Sequence, residues 1–243
     1  GGARFVSSSE RDGYNHLYLF DREGRQVRKL TSGEWDVIEF HGVDEANGWV
    51  YFTAAEASPL ERHLYRVPLN GGDIERITRE PGTHGINLSP DFSLFIDTYS
   101  SAAVPPLARL HEADGRLVRP LVDNARVARE LERAGARPPE FFTFTTTDGV
   151  QLNGWMIKPP DFDPSRRYPV LMYVYGGPGS QTVLDSWGGT RYLWHQALAQ
   201  RGYIVVSVDN RGTGARGAEF KKVTYLNLGE YESDDQIAAA RYL

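Results

Sequence analysis

The first half of this chain is written more than once, and that repetition limits what it can fold into. The stretch HLYLFDREGRQVRKLT from His16 returns as HLYRVPLNGGDIERIT from His63, an offset of 47 residues, and a weaker copy, ARLHEADGRLVRPL, begins at Ala108. Each copy carries a glycine (Gly24, Gly71, Gly115) between two strand-like runs, where a hairpin needs backbone freedom. Three residues after each glycine comes an aliphatic (Val27, Ile74, Val118), and three further on another (Leu30, Ile77, Leu121). RFVSSSE, VYFTAAE and LFIDTYS open three successive units at Arg4, Val50 and Leu94. A period of ~45 residues with several strands per unit is the mark of a β-propeller blade. Residues 1–122 are therefore expected to be blades of a partial propeller. Blades bury their faces on one another, so more blades should precede Gly1. A β-sandwich is the competing reading, but it would not need the copied turn.

Near residue 122 the grammar changes. DNARVARELERAG reads as a helix, with Asn124 as N-cap and Gly135 as stop, and ARPPE follows as a linker because paired prolines continue neither helix nor central strand. Residues 123–139 are assigned to this helix and linker. From Glu140 to Leu243 the pattern is α/β. EFFTFTTTDGVQLNGWMIKP reads as a hairpin turning at Asp148-Gly149. YPVLMYVY and YIVVSVD are continuous apolar runs, as in parallel strands covered on both faces. YLWHQALAQRG between them is helical, and SDDQIAAARYL carries a Ser233–Gln236 capping-box spacing. Hairpin, strand, helix, strand, helix is how an α/β-hydrolase sheet begins, so 140–243 are expected to be the N-terminal part of such a domain.

Composition removes other classes. Net charge is −5 with basic residues scattered among acids, which leaves no basic face for nucleic acid. No apolar run approaches the ~20 residues of a membrane-spanning helix. The absence of cysteine excludes disulfides and thiolate metal sites. No motif implies a cofactor. The chain opens on Gly1-Gly2-Ala3-Arg4 and closes on DDQIAAARYL with no helix stop signal, which reads as an internal fragment of a longer protein.

The segments VYGGPGSQ, DNRGTGARG and LGEYESDDQIAAARYL, in this order, resemble the prolyl oligopeptidase family of serine peptidases. TSGEWDV and SPLERHLYRVPLNG are similar to the last blades of its dipeptidyl peptidase IV branch. The resemblance runs over essentially the whole chain. It implies a β-propeller joined to an α/β-hydrolase domain, a peptide substrate, and removal of N-terminal dipeptides with proline or alanine second. It also implies a homodimer when full length, and a periplasmic, secreted or membrane-anchored site of action.

Acyl transfer at a peptide bond builds negative charge on the carbonyl oxygen, and a donor fixed at that point is worth ~10²–10³ in rate. In α/β-hydrolases one donor comes from the loop after the third strand. Tyr175 ends the strand given that place, and by resemblance the family's oxyanion tyrosine falls on it. Gly176, Gly177 and Pro178 would turn the chain without crowding a substrate. A tyrosine at a strand end can also be an amphipathic aromatic with its hydroxyl in water; the flanking motifs favour the donor. Arg211, in Asp-Asn-Arg-Gly, matches a recurrent family position and is expected either to reach Glu232 or Asp235 or to stand in solvent.

The rest of the machinery is out of view. The chain has no Gly-x-Ser-x-Gly elbow; Ser180 belongs to the loop after Tyr175. All six histidines lie at or before His195, too early for the hydrolase order Ser…Asp…His, and His195, mid-helix, reads as a surface or packing residue. The paired glutamates with which the dipeptidyl peptidase branch grips an amino terminus do not occur. These residues alone are expected to be inactive. GTGARG, Gly212–Gly217, mimics a dinucleotide fingerprint but is not followed at once by a helix and a strand-ending acid. GEYESDD reads as an acidic helix start rather than a metal loop. The rival readings are an acylaminoacyl peptidase or oligopeptidase of the same family, and a catalytically dead propeller–hydrolase binding protein.

Overall fold

The computed structural model describes residues 3–243. They divide into two compact units. One holds residues up to Tyr99 with Pro106–Asp123 and Ala215–Glu219; the other holds Ser100–Pro105, Asn124–Gly214 and Phe220–Leu243.

Among the described residues the first unit is three antiparallel sheets. They are β1 (Arg4–Ser9), β2 (His16–Asp21) and β3 (Gln26–Lys29); then β4 (Val37–Asp44), β5 (Trp49–Ala54), β6 (His63–Pro68) and β7 (Glu75–Arg76); then β8 (Thr83–Leu88), β9 (Leu94–Ser100), β10 (Leu107–Glu112) and β11 (Leu117–Val122). Every strand pairs with the next in sequence within its sheet. The first two sheets share one core, in which Leu17, Leu19 and Leu30 meet Val50, Phe52 and Val67. The second and third share another, in which Tyr51 and Leu64 meet Ile77 and Phe95. The middle sheet is thus covered on both faces, which is why all of β5 after Trp49 is buried.

The sequence repeat is a repeat of contacts. Gly24, Gly71 and Gly115 all take positive φ (+80°, +81° and +93°), as hairpin turns with right-handed strand twist demand. His16 and His63 are both fully buried. In the first copy the Leu17 N–H donates to Thr31 Oγ1 (2.9 Å), and the His16 Nδ1 lies 3.1 Å from the same oxygen. In the second copy Leu64 N–H donates to Thr78 Oγ1 (2.9 Å), with His63 Nδ1 at 3.3 Å. Burial pushes both imidazoles below their ordinary pKa. Each is therefore neutral near pH 7, and a Thr hydroxyl that accepts from the backbone can donate to Nδ1. Leu30 and Ile77 are buried at matching positions, whereas Leu121 and Val118 of the weaker copy are exposed.

The second unit starts with α1 (Ala125–Arg133), which buries none of its residues. Gly135 stops it as expected: the Ala136 N–H donates to Leu131 O and the Gly135 N–H to Glu132 O, a Schellman closure. Asn124 differs from expectation, standing in the left-handed region with no side-chain cap bond. The ARPPE stretch is pinned rather than free, because the Arg137 carbonyl accepts from Tyr192 Oη and Gln196 Nε2.

The sheet of this unit runs β12-β13-β15-β14, from β12 (Glu140–Thr145), β13 (Gln151–Ile157), β14 (Val170–Met172) and β15 (Ile204–Asp209), with α2 (Gly189–Ala199) between the last two strands. β12 and β13 form the antiparallel hairpin, and β14 and β15 are parallel. α3 (Gly217–Lys222) starts directly on the last glycine of GTGARG, where the sequence suggests no helix, and α4 (Glu230–Tyr242) follows. Leu152, Val206 and Val208 bury against Ala239 of α4. The alternate residue Trp155 faces His195 of α2, with ring centroids 5.3 Å apart. β15 is covered on both faces as its apolar run requires, but β14 is not: it ends the sheet and Val170 is 44% exposed. α4 also begins a turn earlier than its Ser233–Gln236 spacing suggests. Gly229 precedes it, the Glu232 carboxylate accepts the Gly229 N–H (2.9 Å), and Gln236 is engaged elsewhere.

The Thr31→Val and Thr78→Val variants each strand a buried amide and a buried imidazole nitrogen. Each is expected to lower stability by about 1–3 kcal/mol in urea denaturation; equal stability would show that the threonine hydroxyls contribute nothing.

Candidate active site

The site forms where β14 and β15 end. β14 is short because its carbonyl ladder is interrupted: Tyr173 N–H still donates to Val206 O (2.7 Å), but Tyr173 O accepts from the side chain of Ser207 (2.7 Å). Freed from the sheet, the chain runs through Val174 into Tyr175, three residues beyond the strand. Tyr175 is 67% exposed. It borders an open cleft of about 480 Å³ with Gly176, Gly177, Pro178, Asn210, Leu228 and Gln236.

The glycines around it are required by space. Gly176 has φ +66°, and a Cβ there would lie 2.4 Å from Asn210 Oδ1. A Cβ on Gly177 would come within 3.2 Å of the Tyr175 ring, so glycine there leaves the phenol room. In the facing loop a Cβ on Gly214 would meet the Gly179 carbonyl at 2.9 Å. GTGARG is thus a close-approach loop, joined to the tyrosine loop by Gly179 N–H to Gly212 O (2.8 Å) and Gly214 N–H to Ser180 O (3.0 Å).

Three consecutive side chains leaving β15 hold these loops. Asp209, buried, accepts from the Thr182 N–H (2.8 Å), the Thr182 hydroxyl (2.9 Å) and the Val183 N–H (3.1 Å). Its burial pushes the carboxyl above the ordinary Asp value despite those donors. Asn210, fully buried, donates from Nδ2 to Gly176 O (3.2 Å) and Arg211 O (2.6 Å). Arg211 turns to α4. Its Nη2 and Nε donate to Asp235 Oδ1 (2.7 and 3.1 Å), its backbone N–H donates to Oδ2 (2.7 Å), and its Nη1 reaches Asp148 (2.8 Å). Of the two acids expected for it, Arg211 meets Asp235 and not Glu232, which caps the helix instead.

Asp209, Asn210 and the inward role of Gln236 are not among the residues that the sequence motifs single out. For Asp209 and Asn210 the available signal is position: an Asp-Asn pair closing a run of five apolar or small residues must hydrogen-bond inward or break the strand. Ser180 lies in the tyrosine loop as expected, its hydroxyl 2.5 Å from Gly177 O. His195 is 2% exposed among Trp155, Tyr173 and Trp194, a packing position.

Comparison with known proteins gives the same outline. Residues 1–106 match the dipeptidyl peptidase IV (DPP IV) N-terminal region, and residues 190–243 match the prolyl oligopeptidase family. A probable dipeptidyl-aminopeptidase B of Aspergillus clavatus is 37% identical over 243 residues, 98% of this chain and 26% of that protein. Dipeptidyl peptidase 8 of Homo sapiens is 37% identical over 224 residues, 88% of this chain and 25% of that protein. The crystal structure of Porphyromonas gingivalis dipeptidyl peptidase 4 superposes with a TM-score of 0.91 at 44% identity, covering 98% of this chain and 33% of that one. The chain spans about a quarter of the length of the curated relatives it matches. A first half matching the dipeptidyl peptidase IV N-terminal region and a last segment matching the prolyl oligopeptidase family define the class. The chain belongs to the prolyl oligopeptidase family, in its dipeptidyl peptidase IV branch.

Burial, with a smaller contribution from Arg191, pushes the His195 pKa down to about 4. The unfolded chain then binds a proton that the folded chain refuses between about pH 6.5 and 4, so stability falls as pH falls through that window. Replacing His195 with Phe is expected to flatten this part of the stability–pH curve, removing up to about 3 kcal/mol of acid sensitivity. Identical curves in urea titrations from pH 7 to 4 would refute the assignment.

Proposed function

We propose that this chain is part of a serine exopeptidase that releases dipeptides from peptide amino termini, preferring proline or alanine at the second position. In this reading residues 1–122 are the C-terminal blades of a β-propeller, 123–139 the helix and linker, and 140–243 the start of the α/β-hydrolase domain. The face-to-face packing of the three antiparallel sheets and the copied His–Thr contacts support the blades. The strand order, with a parallel β14–β15 pair flanked by helices, supports the hydrolase.

The observation that carries the proposal is the exposed phenol of Tyr175, at the carboxyl end of β14, on a loop braced from β15 and open to a cleft. Ligands of open α/β sheets bind outside the carboxyl ends of the strands. A phenol there can donate to the oxyanion as the tetrahedral intermediate forms, beside a backbone N–H following the nucleophile. Gly176, Gly177, Pro178 and Arg211 act as its supporting loop. The serine, acid and histidine are supplied by parts of the protein outside these residues, which alone would be inactive. The amino-terminus-binding glutamates are likewise external, no cofactor is used, and the whole protein works as a homodimer.

In the full-length protein, Tyr175→Phe is expected to lower kcat for an Xaa-Pro-chromophore substrate by about 10²–10³ with little change in KM. An unchanged kcat would remove Tyr175 from the mechanism. Release of single residues or of longer fragments, read by mass spectrometry, would reject the dipeptidyl specificity.

A further inference from the structure

We infer that Asn210 is a positioning residue for the Tyr175 hydroxyl, held in turn by Gln236; this rests on the reading of Tyr175 as oxyanion donor. Asn210 has no solvent exposure, so its amide can be satisfied only inside the protein. Its Nδ2 holds the carbonyls of Gly176 and Arg211, one from each loop of the site, at 3.2 and 2.6 Å. Its Oδ1 accepts from Gln236 Nε2 (3.1 Å), and the same Nε2 donates to Val208 O (3.0 Å). Those two acceptors fix the orientation of the Gln236 amide, since a flip would set its oxygen against both of them. They fix Asn210 too: turned over, it would present oxygen to two carbonyls and nitrogen to a donor.

The chain of contacts leads to the phenol in two steps. Asn210 Nδ2 holds the Gly176 carbonyl at 3.2 Å, and its Oδ1 lies 2.4 Å from where a Cβ on Gly176 would sit, so only glycine fits at this φ of +66°. The next residue, Gly177, leaves the Tyr175 ring room: the ring Cε1 lies 3.2 Å and the Oη 3.7 Å from the place a Cβ would occupy. Gly176 follows Tyr175 directly, so displacing its carbonyl shifts the backbone from which the ring projects. Tyr175 is 67% exposed, so most of its surface meets solvent rather than protein. A donor must sit within a few tenths of an ångström of the developing charge to be effective. Asn210 supplies that precision without touching substrate.

The test is a double-mutant cycle in the full-length protein, using Asn210→Ala, Tyr175→Phe and the pair, with kcat and KM measured on an Xaa-Pro-chromophore substrate. Asn210→Ala is expected to lower kcat about 10-fold while KM stays within about 2-fold, and to have no further effect once the phenol is gone. Full additivity of the two losses, or a change confined to KM, would overturn the inference. A Tyr175→Phe variant with normal kcat would instead strike the underlying reading, so the two failures are distinct. Should Asn210→Ala fail to fold, Gln236→Ala takes its place. Its kcat loss should also vanish in the Tyr175→Phe background, and persistence of that loss would overturn the inference equally.

Discussion

A carboxylate with no access to water demands a counter-charge, and Asp235 is in that position. Stripping a charge of its hydration costs several kcal/mol, and removing one partner of such a pair typically costs about 3–5 kcal/mol. Arg211 answers with a two-pronged guanidinium contact and its own backbone N–H. Because Arg211 follows Asp209 and Asn210 directly, the ion pair sets where all three leave β15. Asp209 then fixes the segment after the glycine turn, and Asn210 fixes the turn itself. The register of α4 follows from the same pair, since Gln236 is the next residue along.

The first unit meets its own constraint differently. Its sheets bury apolar residues on facing surfaces, and what they repeat is a polar device inside that apolar setting. A neutral imidazole, a threonine hydroxyl and a leucine amide satisfy one another at His16, Thr31 and Leu17, and again at His63, Thr78 and Leu64. The Tyr two residues on reaches an acid in both copies, Asp12 for Tyr18 and Glu56 for Tyr65. Such networks are stable in a low-dielectric interior only when every member is paired. That requirement explains why HLY and the later threonine recur at the same spacing while the turn residues between them drift.

The features that were legible in the sequence are those with a local cause. Turn glycines at positions 24, 71 and 115 need positive φ whatever surrounds them. The apolar run of β15 needs cover on both faces, and Gly135 ends a helix by backbone geometry alone. The misplacements have tertiary causes. Ser233–Gln236 fits a capping box, yet α4 starts at Glu230, because Gln236 is drawn to Val208 and Asn210. Asn124 looks like an N-cap but takes a left-handed backbone. β14 reads as a long strand to Tyr175 but stops at Met172, where Ser207 takes the next carbonyl. Tyr175, Gly176, Gly177, Pro178 and Arg211 were visible as a motif. Asn210 is not singled out in that way: its place after an apolar run marks it as inward-facing, but its partners Gly176 and Gln236 lie far off in sequence and only the fold brings them to it.

The near contact of Gly214 with the Gly179 carbonyl ties the histories of two distant stretches of chain. The Gly214 loop cannot acquire a side chain at that crossing unless the Gly179 backbone retreats, so a change at position 214 must be answered in the tyrosine loop. A graft that imports one loop from a homologue without its counterpart would bring in a steric conflict that no change of side chain elsewhere could relieve.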